Sequence, residues 1–243
     1  MNALNQTIYQ IKESLQGLPF DRDDVVHKED LFSHLPNWET LPTPEQILGE
    51  MPIDVGEDVS VIVLGSYRPM CSPGIITLNA SNLHTFYWSV LKEISRLLPG
   101  FSFSRQDLEF LVDFIVEKTW HHELFHHSME VLRLLVNGQP YLPHEESLAV
   151  AYSRQCLREK PWNSKIGRLG RVVLNHAMDI AFQGYSYPYN DWHRYDSPER
   201  LCRGIVDLLQ PAQKGFLESA GIPVTDLFMR LIPIQDGFHE RVI

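Results

Sequence analysis

Residues 120–127 read Trp-His-His-Glu-Leu-Phe-His-His, and within them His122, Glu123 and His126 stand in the order His-Glu-x-x-His. On a helix, positions four apart lie on one face, one turn apart. His122 and His126 can therefore offer imidazole nitrogens to a single metal ion. Glu123 adjoins the first of them, where its carboxylate can reach a water held by that metal. Zinc suits such a site, because it takes His and carboxylate ligands and lowers the pKa of its water toward neutrality. The chemistry this points to is hydrolysis by a metal-activated water, with a carboxylate as base. The run holds four histidines in seven residues, so a His-rich polar face on a surface helix is the plain alternative.

A further ligand is offered by residues 144–152, His-Glu-Glu-Ser-Leu-Ala-Val-Ala-Tyr. With this segment the chain resembles the gluzincin class of zinc metallopeptidases, the thermolysin-like arrangement, over residues 105 to 158. The resemblance implies that a second helix supplies a glutamate ligand about twenty residues after the second His, commonly in the pattern Asn-Glu-x-x-Ala. Glu146 lies at that distance from His126 and, with Ala149, fits the pattern. Glu145 stands where the Asn is usual and is the competing ligand, on a different helical face. The class often has an Asp four residues beyond the ligand, buttressing a ligand His; here that position is Val150. The implied site is His122, His126 and Glu146 on Zn2+, with Glu123 as general base.

The elements that must position these residues are legible as patterns. Leu108, Leu111, Val112, Ile115, Thr119, His122, His126 and Met129 trace one face of a long helix beginning near Ser104–Asp107, so the His pair continues an apolar stripe. Gly138-Gln139-Pro140 ends it. The Glu146 helix follows, to about Arg158, before Pro161. Upstream, Leu4, Ile8, Ile11 and Leu15 predict a short helix over 3–16. Residues 17–56 read as irregular wrapping, with one helical turn at Pro44–Leu48 capped by Thr43. Residues 59–65 and 74–79 read as two strands. The resemblance places such a sheet beside the metal helix, its edge strand open to an extended substrate. A helix capped by Ser81 or Asn82 runs to Leu98.

Beyond residue 160, positions 166–182 form a helical pattern with Leu169, Val172, Val173, His176, Ile180 and Ala181 inward, His176 reading as a hydrogen-bonded core residue. Residues 184–196 gather four tyrosines, a tryptophan, a histidine and an arginine. Thermolysin-type enzymes use a Tyr or His outside the zinc motif to stabilise the oxyanion, which makes His193, Tyr185 and Tyr195 the candidates; an aromatic plug over the core is the alternative. Ser197 caps a helix to Gln210. Residues 211–243 read as a helical tail broken at Ile222-Pro223 and Ile232-Pro233.

The expected fold is α+β, predominantly α-helical: a zincin-like metal helix with a small β-element. Residues 1–56 form an N-terminal helix and wrapping segment, and 57–243 the catalytic domain with a helical C-terminal part. With 243 residues and 44% hydrophobic content, one good core can be buried. A net charge of -10 argues against nucleic acid as partner. No apolar run is long enough to span a membrane, and the first residues do not read as a signal peptide. Three scattered cysteines, Cys71, Cys156 and Cys202, suit a reducing compartment, so a cytoplasmic location is expected. The function that follows is a zinc-dependent hydrolase, a metallopeptidase acting on a peptide or protein. The alternative is a zincin-fold binding or regulatory protein that keeps the metal with little proteolysis.

Overall fold

The computed structural model describes residues 2–34, 38–49, 62–68, 74–98, 100–135, 142–162, 166–209, 211–223, 226 and 238–242. The fold is predominantly helical with two small sheets. The helices are α1 (Ala3–Ser14), α2 (Lys28–His34), α3 (Pro44–Gly49), α4 (Ala80–Leu97), α5 (Arg105–Leu135), α6 (Leu142–Glu159), α7 (Arg171–Ile180), α8 (Pro198–Asp207) and α9 (Pro211–Ser219). The strands are β1 (Val25–His27), β2 (Gly65–Arg68), β3 (Gly74–Leu78), β4 (Ser102–Ser104) and β5 (Phe238–Val242).

α5 is the axis. A reciprocal cap starts it: the Asp107 N–H donates to Ser104 Oγ at 3.2 Å, and the Ser104 N–H donates to Asp107 Oδ2 at 3.1 Å. That pairing satisfies two of the backbone donors a helix start leaves open. From Phe110 to Trp120 every residue is buried, so this stretch is wrapped on all sides. Leu108, Leu111, Val112 and Ile115 join a core with α1, α4 and α7, while Phe125, Met129 and Leu132 join a second core with α6 and α8. Each fully buried side chain of this kind contributes about 1.5–3 kcal/mol. The two carboxylates inside the wrapped stretch, Asp113 and Glu117, are met from outside it. Lys12 of α1 lies 2.6 Å from Asp113, and Lys160 pairs with Glu117.

β1 and β4 pair antiparallel, Val25 opposite Ser104 and His27 opposite Ser102. In the other sheet, of order β2-β3-β5, β2 runs antiparallel to β3 with Gly65 opposite Leu78. β5 runs parallel to β3, with Gly74 opposite Phe238 and Leu78 opposite Val242. β3 is central, its Ile76 and Leu78 buried, and β2 is an edge.

Several expectations hold: the N-terminal helix, the Thr43-capped turn, the strand from Gly74, the two metal-motif helices, and the Ser197 cap, whose Oγ accepts from the Arg200 N–H. Others are corrected. The first strand occupies 65–68, with 62–64 outside it and 59–61 outside the described residues. Asn79, not Ser81 or Asn82, caps α4, its Oδ1 accepting from the Asn82 N–H at 3.0 Å. The helix expected over 166–182 shrinks to 171–180, and Val172 is exposed at 45% while His176 is half-buried. Within the expected irregular wrapping of 17–56, residues 25–34 are instead regular, forming β1 and α2, while 35–37 and 50–56 lie outside the described residues. The tail is not helical throughout, because 238–242 form a strand. There, pairing with the open edge of β3 satisfies backbone groups that local pattern cannot assign. The stops at 138–140 and at Ile232-Pro233, and Cys71, lie outside the described residues. No helix among the described residues is long and apolar enough to cross a membrane.

Candidate metal centre

α5 and α6 pack side by side and bring the ligand set together. His122 and His126 project from α5 and Glu146 from the second turn of α6. Their candidate ligand atoms form a near-equilateral triangle. His122 Nε2 and His126 Nε2 are 3.3 Å apart, and each lies 3.2 Å from Glu146 Oε2. Yet among the described residues no hydrogen bond of proper direction reaches the buried Glu146 Oε2. A buried carboxylate oxygen this close to two ring nitrogens, which also contact each other, is the convergence of ligand atoms that a cation-binding triad shows. A tetrahedral ion with ligands at about 2.0–2.1 Å has edges of about 3.3–3.4 Å. The donor set and its spacing fit a divalent ion of that kind, so His122, His126 and Glu146 form a group that can hold a metal ion. Side-chain exposures of 16%, 12% and 21% leave one side of the triangle open, as an ion with an exchangeable fourth position requires.

Glu145, the competing ligand, does something else. It is buried, and its Oε1 accepts from His126 Nδ1 at 2.9 Å while its other oxygen binds Arg133. A carboxylate only accepts, so Nδ1 carries a proton and Nε2 is the ring atom that faces Glu146. The carboxylate that contacts His126 Nδ1 thus comes from the residue just before Glu146. Val150, at the class position, is core.

The electrostatics follow from this crowding. Burial alone would lower the His126 pKa, but the Glu146 charge and the contacts from Glu145 and Glu146 outweigh it and hold the imidazole well above its ordinary value. Burial would raise Glu146, and the facing imidazoles outweigh it and pull the carboxyl below the usual range. Glu123 is 5% exposed, and burial raises its pKa against the opposing pull of the imidazoles and Lys118. A carboxylate raised in this way is a stronger base than one in water.

The group opens into a cavity of about 440 Å³. One wall is α5, with Lys118, His122, Glu123 and His126. The facing wall is residues 62–67, the edge strand β2 and the segment leading into it. Gly65 makes this close approach possible: a Cβ there would stand 2.7 Å from Thr119 Cγ2 and 3.1 Å from Glu123 Oε1. Farther along, the Tyr67 hydroxyl binds Glu130 and lies 3.4 Å from His127 Nδ1. Asn82 Nδ2 donates to the Val63 carbonyl at 2.8 Å and holds the approach to β2.

Tyr185 and Tyr189 close the cavity. Their rings stack with centroids 5.7 Å apart, and Tyr189 stands 6.0 Å from the His122 ring. The loop carrying them is pinned at two points, Ser186 Oγ donating to the Gly49 carbonyl at 2.9 Å and Ser147 Oγ donating to the Pro188 carbonyl at 2.6 Å. Gly184 turns with φ 77°, against the Glu45 backbone, where a side chain would collide. Burial, then nearby negative charge, raises both phenols, so both remain hydrogen-bond donors. Of the three loop candidates only Tyr185 lines the cavity. His193 is exposed, its Nδ1 donating to the Asn190 carbonyl at 3.0 Å, in the short 3-10 turn Tyr189–Tyr195. Tyr195 packs on Leu148 and Gly204 in the second core. Tyr189 was missed because composition marked the whole loop equally, and only its pinning selects which rings turn inward. The chain matches no family model, no curated protein and no solved structure.

Proposed function

We propose that this chain is a zinc-dependent hydrolase, a metallopeptidase. The observation that carries the reading is the triangle of His122, His126 and Glu146 with Glu123 buried beside it in one cavity. Zinc, when bound there, supplies Lewis-acid polarisation of the scissile carbonyl and acidifies its water. Glu123 accepts the proton of the attacking water and delivers it to the departing amine nitrogen. Tyr185 and Tyr189 donate to the oxygen that gains charge as the carbonyl is attacked, the role sequence alone assigned first to His193. Glu145 and Arg133 hold the His126 ring in its orientation. An extended peptide lies along β2, whose outer edge has no strand partner among the described residues, lines the cavity and offers main-chain hydrogen bonds.

The test is metal analysis of the purified chain followed by peptide hydrolysis. One zinc per chain is expected, lost in His122→Ala. Glu123→Gln is expected to fold and keep zinc while hydrolysis falls about 10²–10⁴-fold. Equal rates in parent and variant would overturn the assigned mechanism. A chain that binds zinc and cleaves nothing across a broad peptide library is a zincin-fold binding protein instead.

A further inference from the structure

Among the described residues two lysines are buried, and they are treated oppositely. Lys92 is 5% exposed, and its Nζ donates to the Trp38 carbonyl at 2.7 Å, with the Glu39 and Leu41 carbonyls at 3.4 Å. It is a structural cation, fully answered by oxygen. Lys118 is 4% exposed and is answered by none: among the described residues its Nζ makes no hydrogen bond and no ion pair. Instead it sits among the faces of Phe86, Phe182 and Tyr185, 5.3, 5.4 and 5.3 Å from their centroids. Rings of this kind tolerate a cation, but they do not replace the hydrogen bonds an ammonium gives up on leaving water.

The unanswered group faces the cavity of the candidate metal centre. Of the two basic side chains lining it beside the histidines, Arg133 is engaged by Glu145. Lys118 thus supplies the uncommitted positive charge in a site otherwise rich in carboxylates. It lies one helical turn before His122 on α5, a rise of about 6 Å. An extended peptide covers about 3.3–3.6 Å per residue, so a group one or two residues from the bond held at the metal centre reaches it. Burial drops the Lys118 pKa to about 7, with Glu123 pulling the other way. An arriving anion would restore its charge.

We propose that Lys118 is a specificity-determining residue that receives a carboxylate of the substrate one or two residues from the cleaved bond, the free C-terminus or an acidic side chain. The proposal rests on the hydrolase reading for which bond is cut, whereas the carboxylate binding is measurable without turnover. The full chain, metal-free and then zinc-loaded, is titrated by calorimetry near pH 6.5 with N-acetyl-trialanine as free acid, with its C-terminal amide, and with an amide peptide carrying one glutamate side chain. The free acid is expected to bind about tenfold more tightly than the amide. In Lys118→Met the ratio falls to about one, in Lys118→Gln likewise, and in Lys118→Arg a preference for the acid persists. A zinc-loaded kcat/KM that follows the same acid-to-amide ratio supports the placement. Tight binding of the glutamate amide with indifference to the terminus assigns the carboxylate to a side chain. A parent that binds the free acid, the amide and the glutamate peptide all equally overturns the proposal. So does a preference that survives in folded Lys118→Met, or one that exists only with zinc and not in the metal-free chain. If the binding preference holds and no peptide is cleaved, the hydrolase reading fails and the Lys118 site stands.

Discussion

Glu145 and Glu146 are adjacent in sequence and serve different atoms. Because Glu146 faces both Nε2 atoms and Glu145 faces His126 Nδ1, their loss should be graded. Glu146→Gln is expected to abolish stoichiometric zinc, whereas Glu145→Ala should weaken zinc about 10–100-fold without abolishing it; competitive chelator titration separates the two, and the reverse order would exchange their roles. Lys118 supports a second prediction, read on the metal-free chain. Its folded pKa is about 7, below the ordinary unfolded value of about 10.4. Between those values the unfolded chain binds the additional proton, so parent stability rises with pH by at most about 1.4 kcal/mol per unit from this group. Below pH 7 both states are protonated and the burial penalty is fully present. Lys118→Met should therefore exceed the parent in urea midpoint at pH 6, and the gap should shrink by pH 9.5. A gap that is constant across this range would contradict the burial argument. At this scale the sequence was most informative: a spacing of four and a second glutamate twenty positions on are local facts. Which of two neighbouring glutamates ligates depends on how α6 is rotated against α5, which sequence spacing alone does not specify.

The strand β2 makes the candidate metal centre into a cavity, and Gly65 is where its backbone comes against Thr119 and Glu123 of the helix. Gly65→Ala places a methyl against Thr119 Cγ2 and Glu123. Zinc stoichiometry should survive, since all three ligands lie on α5 and α6. Hydrolysis should fall about 10²-fold, as expected for a misplacement of about 1 Å at a reacting group. Metal content and turnover measured on one preparation check this, and full activity in Gly65→Ala would show that Glu123 is not set by the strand. Elements with a clear internal period were legible: α1 and α4 emerged from the spacing of Leu, Ile, Val and Phe, α5 from the apolar stripe that runs into its His pair, and α6 from the class resemblance and its bounding prolines. β2 was displaced, because Val61, Ile62, Val63 and Leu64 have β-strand composition while the ladder to β3 forms only from Gly65 onward. β1 and β4 are three residues each, too short for an alternation to register.

At the scale of the whole molecule, α5 joins two cores and is wrapped over most of its first half, which is why its pattern reads as weakly amphipathic although it is the best buried helix. The strand at 238–242 was illegible for a different reason. Its side chains do not declare it, and its partner β3 lies across most of the chain's length. That pairing bears on time as well as on shape. α5 and α6 are neighbours in sequence, so the ligand triangle can assemble from local contacts soon after collapse begins. The sheet that carries β2 is completed only when β5 has found β3, a distant search that slows folding. Refolding from urea with zinc present should thus show two phases, metal capture first and hydrolytic competence later, followed by a chelating dye and by turnover. Coincident phases would mean that the helix pair does not form ahead of the sheet. On this order of events, and if the chain is the hydrolase proposed, a half-folded chain would carry its metal before the sheet beside it is complete, and it would spare its neighbours while it matures.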